Sequence, residues 1–235
     1  MTQPRACLSV VVPALDEAEA IAGSLARLQA LRAAGGEVIV VDGGSRDATR
    51  ALAGPLADRV IEAPRGRAAQ MNAGARAARG AILLFLHADT LVPEGSLELL
   101  AGRLDASGSA WGRFDVAIAG AGPLLAVVAF FMNARSRITG IATGDQAIFV
   151  RREAFERAGG FPEIPVMEDV ALSKILKRLS APLCLRDRLT TSGRRWRKHG
   201  TLRTILLMWR LRLAYALGAD PRHLASRYDV ERTQS

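Results

Sequence analysis

The chain has 235 residues, 49% hydrophobic and 23% charged, a balance that fits a globular protein of one large domain and excludes global disorder. Its formal net charge of +9 and pI of about 10.8 favour anionic partners. Aromatic residues are sparse and no DNA- or RNA-binding motif occurs, so those partners are not expected to be nucleic acid.

Leu8–Val12 is a β-branched run, the pattern of a strand buried on both faces, and Pro13 ends it. Asp16 or Glu17 opens a helix with Ile21, Leu25, Leu28 and Leu31 at helical spacing, stopped by Gly35-Gly36. Val38–Val41 is a second buried strand. Gly43-Gly44-Ser45 forms a tight turn, and Ser45 or Asp47 caps a short helix through Leu52. Val60-Ile61 is a brief strand, Gly66–Ala78 an Ala-rich helix, Ala81–Leu86 a fourth strand, and Glu94–Leu104 a helix after Pro93. This alternation with short connections predicts a parallel, doubly wound α/β sheet.

Further on, Ala110–Ile118 reads as a strand of different direction, Pro123–Met132 as an apolar run, and Asp145–Val150 as a strand. Arg152–Ala158 and Val170–Leu179 read as helices. Thr201–Leu217 is a helix with Leu202, Leu206, Trp209, Leu213 and Leu217 on one face and Arg203 and Arg210 on another. Its apolar face suits either an anionic membrane interface or packing against the domain or a second subunit. No signal peptide is read, and no apolar stretch approaches the roughly 20 residues of a membrane span. Cys7 and Cys184 are too few for a disulfide framework, so a reducing, cytoplasmic location is expected.

Carboxylates stand where three strands end: Asp16 and Glu17, then Asp42, then Asp89. In an open α/β sheet ligands bind at the carboxyl ends of parallel strands, so these acids suggest a nucleotide, a metal, or both. The first turn, Pro13-Ala14-Leu15-Asp16-Glu17, has no glycine, which disfavours a dinucleotide. Asp42 can accept the imide N–H of a uracil or serve as a turn and cap. His87 and Asp89, at i and i+2, offer ligands to Mg²⁺ or Mn²⁺; Asp89 is the better of the two and equally a helix cap, while a histidine such as His87 is more often a packed or hydrogen-bonded residue. Glu168-Asp169 open a helix, where an acid is either a cap or a general base.

Four segments in order, Val11–Glu17, Val40–Thr49, Phe85–Thr90 and Gly159-Gly160-Phe161 with Glu168-Asp169, resemble the family-2 glycosyltransferases of GT-A fold. The Asp-Gly-Gly-Ser turn and His-Ala-Asp-Thr are most similar to the subgroup named for arsenosugar biosynthesis. The resemblance implies a mostly parallel, Rossmann-like central sheet flanked by helices, with a C-terminal helical extension. It implies residues 1–200 as the transferase domain, with 1–105 binding the nucleotide sugar and 106–200 the acceptor, and 201–235 as an amphipathic helix and tail.

It further implies inverting, metal-assisted hexosyl transfer from a nucleoside diphosphate sugar, UDP-type, to an acceptor hydroxyl. Pro13, Asp16, Glu17, Asp42, Gly44, Arg67, Asn72, Ala88 and Asp89 would border the donor. Asp89 with His87 would hold Mn²⁺ or Mg²⁺, and Asp169, with Glu168 beside it, would be the base. Gly144, Asp145, Gln146, Arg194, Arg195 and Trp196 would meet the acceptor or the diphosphate. A lipid-linked acceptor, peripheral contact at the inner face of a membrane and a homodimer are compatible extensions. Two departures stand out: His87 replaces the first acid of the family's Asp-x-Asp, and Gly43 the second acid of its Asp-Asp-Gly-Ser turn. The alternatives are a non-catalytic relative that binds nucleotide or a partner, and a sugar nucleotidyltransferase.

Overall fold

The computed structural model describes residues 8–120, 123–194, 196 and 200–226. In chain order its elements are β1 (Leu8–Ala14), α1 (Ile21–Ala26), α2 (Gln29–Ala33), β2 (Glu37–Asp42), α3 (Thr49–Ala53), β3 (Arg59–Glu62) and α4 (Arg67–Ala77). There follow β4 (Ile82–Phe85), β5 (Thr90–Leu91), α5 (Leu100–Ser107), β6 (Trp111–Ile118), α6 (Pro123–Thr139), β7 (Phe149–Arg151), α7 (Arg152–Arg157), α8 (Glu168–Leu176), β8 (Leu183–Thr191) and α9 (Thr201–Ala216).

The strands form one sheet in the order β3-β2-β1-β4-β7-β6-β8-β5. β1 to β4, β6 and β8 run in one direction, and β5 and β7 oppose them. Successive side chains on a strand face opposite sides, so each central strand feeds two cores. Val10, Val12, Val38, Val40, Ile82 and Leu84 pack with Ile21, Leu25, Leu28, Leu100 and Leu104 on one side. Val11, Ile39, Val41, Leu83 and Phe85 pack with Met71, Phe155, Phe161, Leu172 and Leu176 on the other.

Several expectations need correction. β1 runs through Pro13 to Ala14. The carbonyls of Val11 and Ala14 serve Leu86 and Gly43 on opposite sides, so Pro13 points toward β4 beyond that strand's last residue, where its missing N–H costs no ladder bond. The helix expected at Glu94–Leu104 starts only at Leu100, because Gly95 takes a left-handed φ of 75°. The strand of different direction is β7 rather than Ala110–Ile118. Gly144–Gln146 is a short 3₁₀ turn held by reciprocal Thr143 and Gln146 bonds, so β7 begins only at Phe149. β8 has no counterpart in the sequence reading. Its Arg186-Asp187-Arg188 cluster hides the alternation, and its register against β6 jumps from Leu185 to Arg188.

α9 forms as expected but with its apolar stripe outward. Leu202, Leu206, Trp209, Leu213 and Leu217 are all at least 62% exposed. Leu211 and neighbours of its opposite side bury against Val166 and Leu224, and the Lys174 ammonium of α8 stands 4.7 Å from the Tyr215 ring. α6 likewise leaves Leu124, Val127, Phe130 and Phe131 exposed.

α4 lies against β1 and β2 through a glycine. A Cβ at Gly74 would overlap Val11 and stand 2.9 Å from Val41 Cγ2. Gly74→Ala is therefore expected to destabilise the fold by about 1–3 kcal/mol, read from the urea midpoint at unchanged m-value.

Candidate active site

The carboxyl edges of β1 and β2 are stitched together by loop hydrogen bonds. The Asp16 amide donates to Ser45 Oγ (2.9 Å), the Glu17 amide to Thr49 Oγ1 (2.8 Å) and the Ala18 amide to Asp47 Oδ2 (3.0 Å). In return Asp16 Oδ1 accepts the Arg46 amide at 2.8 Å. Asp16 adopts φ 52° to do so. Its carboxylate is thus a clip between two loops. The N-cap position of α3 is Ala48 rather than Ser45 or Asp47, and Asp47, one residue earlier, accepts the Thr49 amide. Thr49's hydroxyl, also bonded to Asp47, lowers that carboxyl's pKa.

Asp42 is fully buried at the end of β2. Its Oδ2 accepts the Gly44 and Ser45 amides, both at 3.0 Å, with Gly44 at φ 93°. Its Oδ1 has no partner among the described residues. A bare buried carboxylate oxygen is an acceptor in want of an N–H donor.

Gln70, absent from the sequence reading, donates through Nε2 to the carbonyls of Ala14 and Val41, both at 2.8 Å. It ties β1 to β2 beneath the turn. A Cβ at Gly43 would stand 3.0 Å from that same Nε2, which explains why a glycine follows Asp42 here. Asn72 spends its amide on Phe161, accepting the N–H and donating to the carbonyl at 2.9 Å each. Both polar ends of Asn72 hold the Gly-Gly-Phe turn.

Beyond β4, Ala88 is buried while His87 and Asp89 are part-exposed. β5, starting at the next residue, pairs with the end of β8, Thr90 opposite Thr191. That pairing brings Arg194, three residues past β8, to the acids. Its Nη2 lies 2.6 Å from Glu17 Oε2 and 3.7 Å from Asp89 Oδ2, and Nη1 lies 3.4 Å from Glu19 Oε2. The Glu17 contact, first among its neighbours, raises the Arg194 pKa further. Trp196 is half-buried, and Arg195 lies outside the described residues.

Across the edge, Asp169 accepts two backbone N–H groups, Gly144 on Oδ2 and Val170 on Oδ1, both at 2.7 Å. His87 meets the same turn. Its Nδ1 is 3.3 Å from Asp145 Oδ1, and a Cβ on Gly144 would come 2.5 Å from His87 Nε2 and 3.8 Å from Asp169 Oδ2. One glycine thus separates the β4 exit from the acid that opens α8. Gln146 is buried, its amide spent on Thr143 and Asn133, so it braces the turn from behind.

Glu168 is buried, with Oε1 2.9 Å from Arg67 Nε and Oε2 without a partner among the described residues. Arg67 therefore meets an acid of the other half of the site. Burial pushes the Glu168 carboxyl up, the Asp169 charge adds to this, and Arg67 opposes it. The preceding Met167 takes φ 67°, and Ala147 takes φ 45°, so with Asp16 all three non-glycine residues of positive φ among the described residues flank this site.

Among the described residues no three His, Cys, Asp or Glu side chains gather into a metal-binding group. Asp89 Oδ2 stands 3.7 Å from Arg194 and His87 Nδ1 3.3 Å from Asp145 Oδ1, so an Mg²⁺- or Mn²⁺-type ion held by Asp89 would need further oxygens from a diphosphate and water.

Residues 9–157 match the family model of glycosyl transferase family 2. The chain belongs to that family. Solved structures similar to it include TarS of S. aureus in complex with UDP-GlcNAc, with a TM-score of 0.65 and 20% identity over 80% of this chain and 59% of that one. The mannosyltransferase PcManGT from Pyrobaculum calidifontis, in complex with GDP-Man and Mn²⁺, has a TM-score of 0.62 and 24% identity over 90% and 61%. The glucosyl-3-phosphoglycerate synthase from Mycobacterium tuberculosis, in complex with Mn²⁺, UDP and glucosyl-3-phosphoglycerate, has a TM-score of 0.56 and 22% identity over 79% and 71%. The shared fold is GT-A, and the chain spans about three fifths of the length of the first two. No curated protein is similar enough to count as a relative.

Because the fold holds the Glu168 proton more tightly than the unfolded chain, it binds more protons between the ordinary glutamate pKa and the raised one. Wild-type stability should therefore fall as pH rises through that window. Glu168→Gln should flatten this slope, as urea melts across a pH series would show.

Proposed function

We propose that the chain is an inverting glycosyltransferase that moves a hexose from a UDP-type sugar to an acceptor hydroxyl. The observation that carries this reading is the meeting of the β4 exit and the Asp169 carboxylate at Gly144. A donor held at the sheet edge would stand between an acid set for its nucleoside and an acid set for its acceptor.

Asp42 Oδ1 is the acceptor for a base imide N–H, with the Pro13, Gly44 and Glu17 loops around it. Arg194 lies between Glu17 and Asp89, ready to exchange a carboxylate partner for diphosphate oxygens. Asp89, with His87, would hold a Mn²⁺ or Mg²⁺ ion that offsets charge on the leaving diphosphate. The acceptor oxygen attacks the anomeric carbon and passes its proton to Asp169. The new C–O bond forms as the bond from that carbon to the diphosphate oxygen breaks, and the nucleoside diphosphate leaves. The two backbone N–H bonds fix the direction of the Asp169 carboxylate. Glu168 is buried and occupied by Arg67, which leaves it less free to meet an acceptor hydroxyl.

The Asp-Gly-Gly-Ser and His-Ala-Asp-Thr turns support a place in the arsenosugar-type subgroup. The positions of Asp42, Asp89 and Asp169 support a donor half at residues 1–105 and an acceptor half at 106–200. The outward apolar stripe of α9 and the exposed Leu124, Val127, Phe130 and Phe131 of α6 support a peripheral seat on the inner face of an anionic membrane. The net charge of +9 and the exposed Arg203 and Arg210 beside that stripe complement such a surface. Among the described residues no helix is long and apolar enough to cross a membrane. A lipid-linked acceptor in a cytoplasmic setting fits that seat.

Asp169→Asn is expected to lower turnover about 10²- to 10⁴-fold while calorimetry shows unchanged UDP affinity. Turnover close to wild type would pass the role of base to Glu168. Replacing Leu206 and Trp209 of α9 by Asp together should abolish co-sedimentation with phosphatidylglycerol vesicles without moving the melting temperature. Equal sedimentation of both proteins would remove α9 from a membrane role.

A further inference from the structure

We propose that the acceptor carries an anionic group, a phosphate or a carboxylate, which seats on the guanidinium of Arg135 beside Asp169, with Arg212 of α9 as a second cation. This rests on the glycosyl-transfer reading and names the substrate class of its acceptor side.

The site is built from three elements. Arg135 lies on α6, two residues after Asn133, whose Oδ1 accepts Gln146 Nε2 of the turn that bonds Asp169 through the Gly144 amide. Asp169 opens α8, and Arg212 and Tyr215 lie on α9, which meets α8 where Lys174 stands 4.7 Å from the Tyr215 ring. Nε and Nη2 of Arg135 are buried and have no hydrogen-bond partner among the described residues. A guanidinium offers five N–H donors and keeps its charge, so leaving two of its nitrogens dry and unpaired is costly unless a ligand takes them. The other arginines around the site are engaged. Arg113 and Arg137 share Asp115, Arg67 meets Glu168, and Arg194 meets Glu17. Arg135 makes no ion pair among the described residues.

The charges acting on Arg135 come from Arg212, Asp169 and Arg113. Burial first, then Arg212, bring its pKa down to about 10, which leaves it cationic at neutral pH. Asp169 is the one neighbour of opposite sign among these, and its oxygens already accept Gly144 and Val170 amides. Asp169 also acts on the Tyr215 hydroxyl, whose pKa burial raises and this carboxylate raises further. An incoming oxyanion is the group that satisfies Arg135 without displacing the base. Guanidinium and phosphate or carboxylate match in a two-bond fork. An anion so held puts its own molecule's hydroxyls next to Asp169. The anion's source is either a small soluble molecule or a lipid headgroup, and the exposed Leu213 next to Arg212 puts a lipid surface within reach.

The test uses the full chain saturated with UDP and Mg²⁺, so that phosphate cannot enter the donor site. Calorimetry would compare inorganic phosphate, glycerol 3-phosphate, a short-chain phosphatidylglycerol below its micelle concentration, and glycerol as the neutral control. Wild type should bind at least one phosphate probe and not glycerol. Arg135→Met should weaken that binding about tenfold or more, with Arg135→Lys between the two and UDP affinity unchanged. Tighter binding of glycerol 3-phosphate identifies a soluble acceptor, and tighter binding of the phosphatidylglycerol a lipid one. If Arg135→Met fails to fold, Arg135→Lys and Arg212→Gln carry the comparison. UDP binding without anion binding, or equal anion affinity in wild type and variants, overturns the proposal. Anion binding that needs Arg135, in a protein without UDP affinity, leaves the pocket standing and sinks the transferase reading instead.

Discussion

The site depends on one short antiparallel pairing. β7 lies between β4 and β6 and opposes both, with Leu84 of β4 opposite Phe149 and the Ile148 carbonyl accepting the Phe85 amide. Because β7 runs against β4, the residues that precede β7 fall beside the residues that follow β4. Gly144–Ala147 is thereby laid against His87–Asp89. A parallel strand at the same place would have sent that turn to the far end of the sheet. The approach of Asp169 to the β4 exit follows from this reversal, together with the Gly144 amide that aims Asp169.

The backbone strain of the molecule collects in the same region. Asp16, Ala147 and Met167 hold positive φ without being glycines, each at a cost of order 1–3 kcal/mol. Each sits at a hinge between an element and a site residue: the β1 exit, the turn before β7, and the residue before Glu168. Rigid neighbours hold them there. The four loop bonds between Asp16–Ala18 and Ser45–Thr49 fix the first, and the Thr143 and Gln146 capping bonds fix the second. Gly43 answers to a different neighbour, since a Cβ there would stand 3.0 Å from Gln70 Nε2.

Charge is managed by pairing across the two halves. Glu168 is met by Arg67 from α4, and Glu17 and Asp89 by Arg194 from beyond β8. Asp115 on β6 takes both Arg113 and Arg137, while Asn133 of α6 bonds both backbone groups of Val116 and pins that helix to β6. α6 is thus anchored by its polar end, Asn133 to Arg137, while its earlier turns keep Phe130 and Phe131 in solvent. A basic chain can afford so many arginines near its site because acids spread through the sequence converge there.

The sequence by itself determined the first half of the fold. Runs such as Val10–Val12 and Val38–Val41, with a 3.6-residue period in Ile21, Leu25, Leu28 and Leu31, specify a doubly wound sheet through local burial patterns. The acids at the strand ends were legible because parallel strands deliver their exits to one edge. The site's other half was decided by tertiary structure. β8 and its bulge are hidden locally by the charged residues Arg186 to Arg188, of which Asp187 meets Arg103 on α5, a partner 84 residues away in the chain. The outward stripe of α9 could not be told from an inward one, since periodicity marks a face but not what covers it. Asn72, Gln70 and Arg135 carry no motif. Asn72 and Gln70 bond backbone groups 29 to 89 residues away, and Arg135 is left bare by neighbours on other helices, relations that only the packed chain brings together.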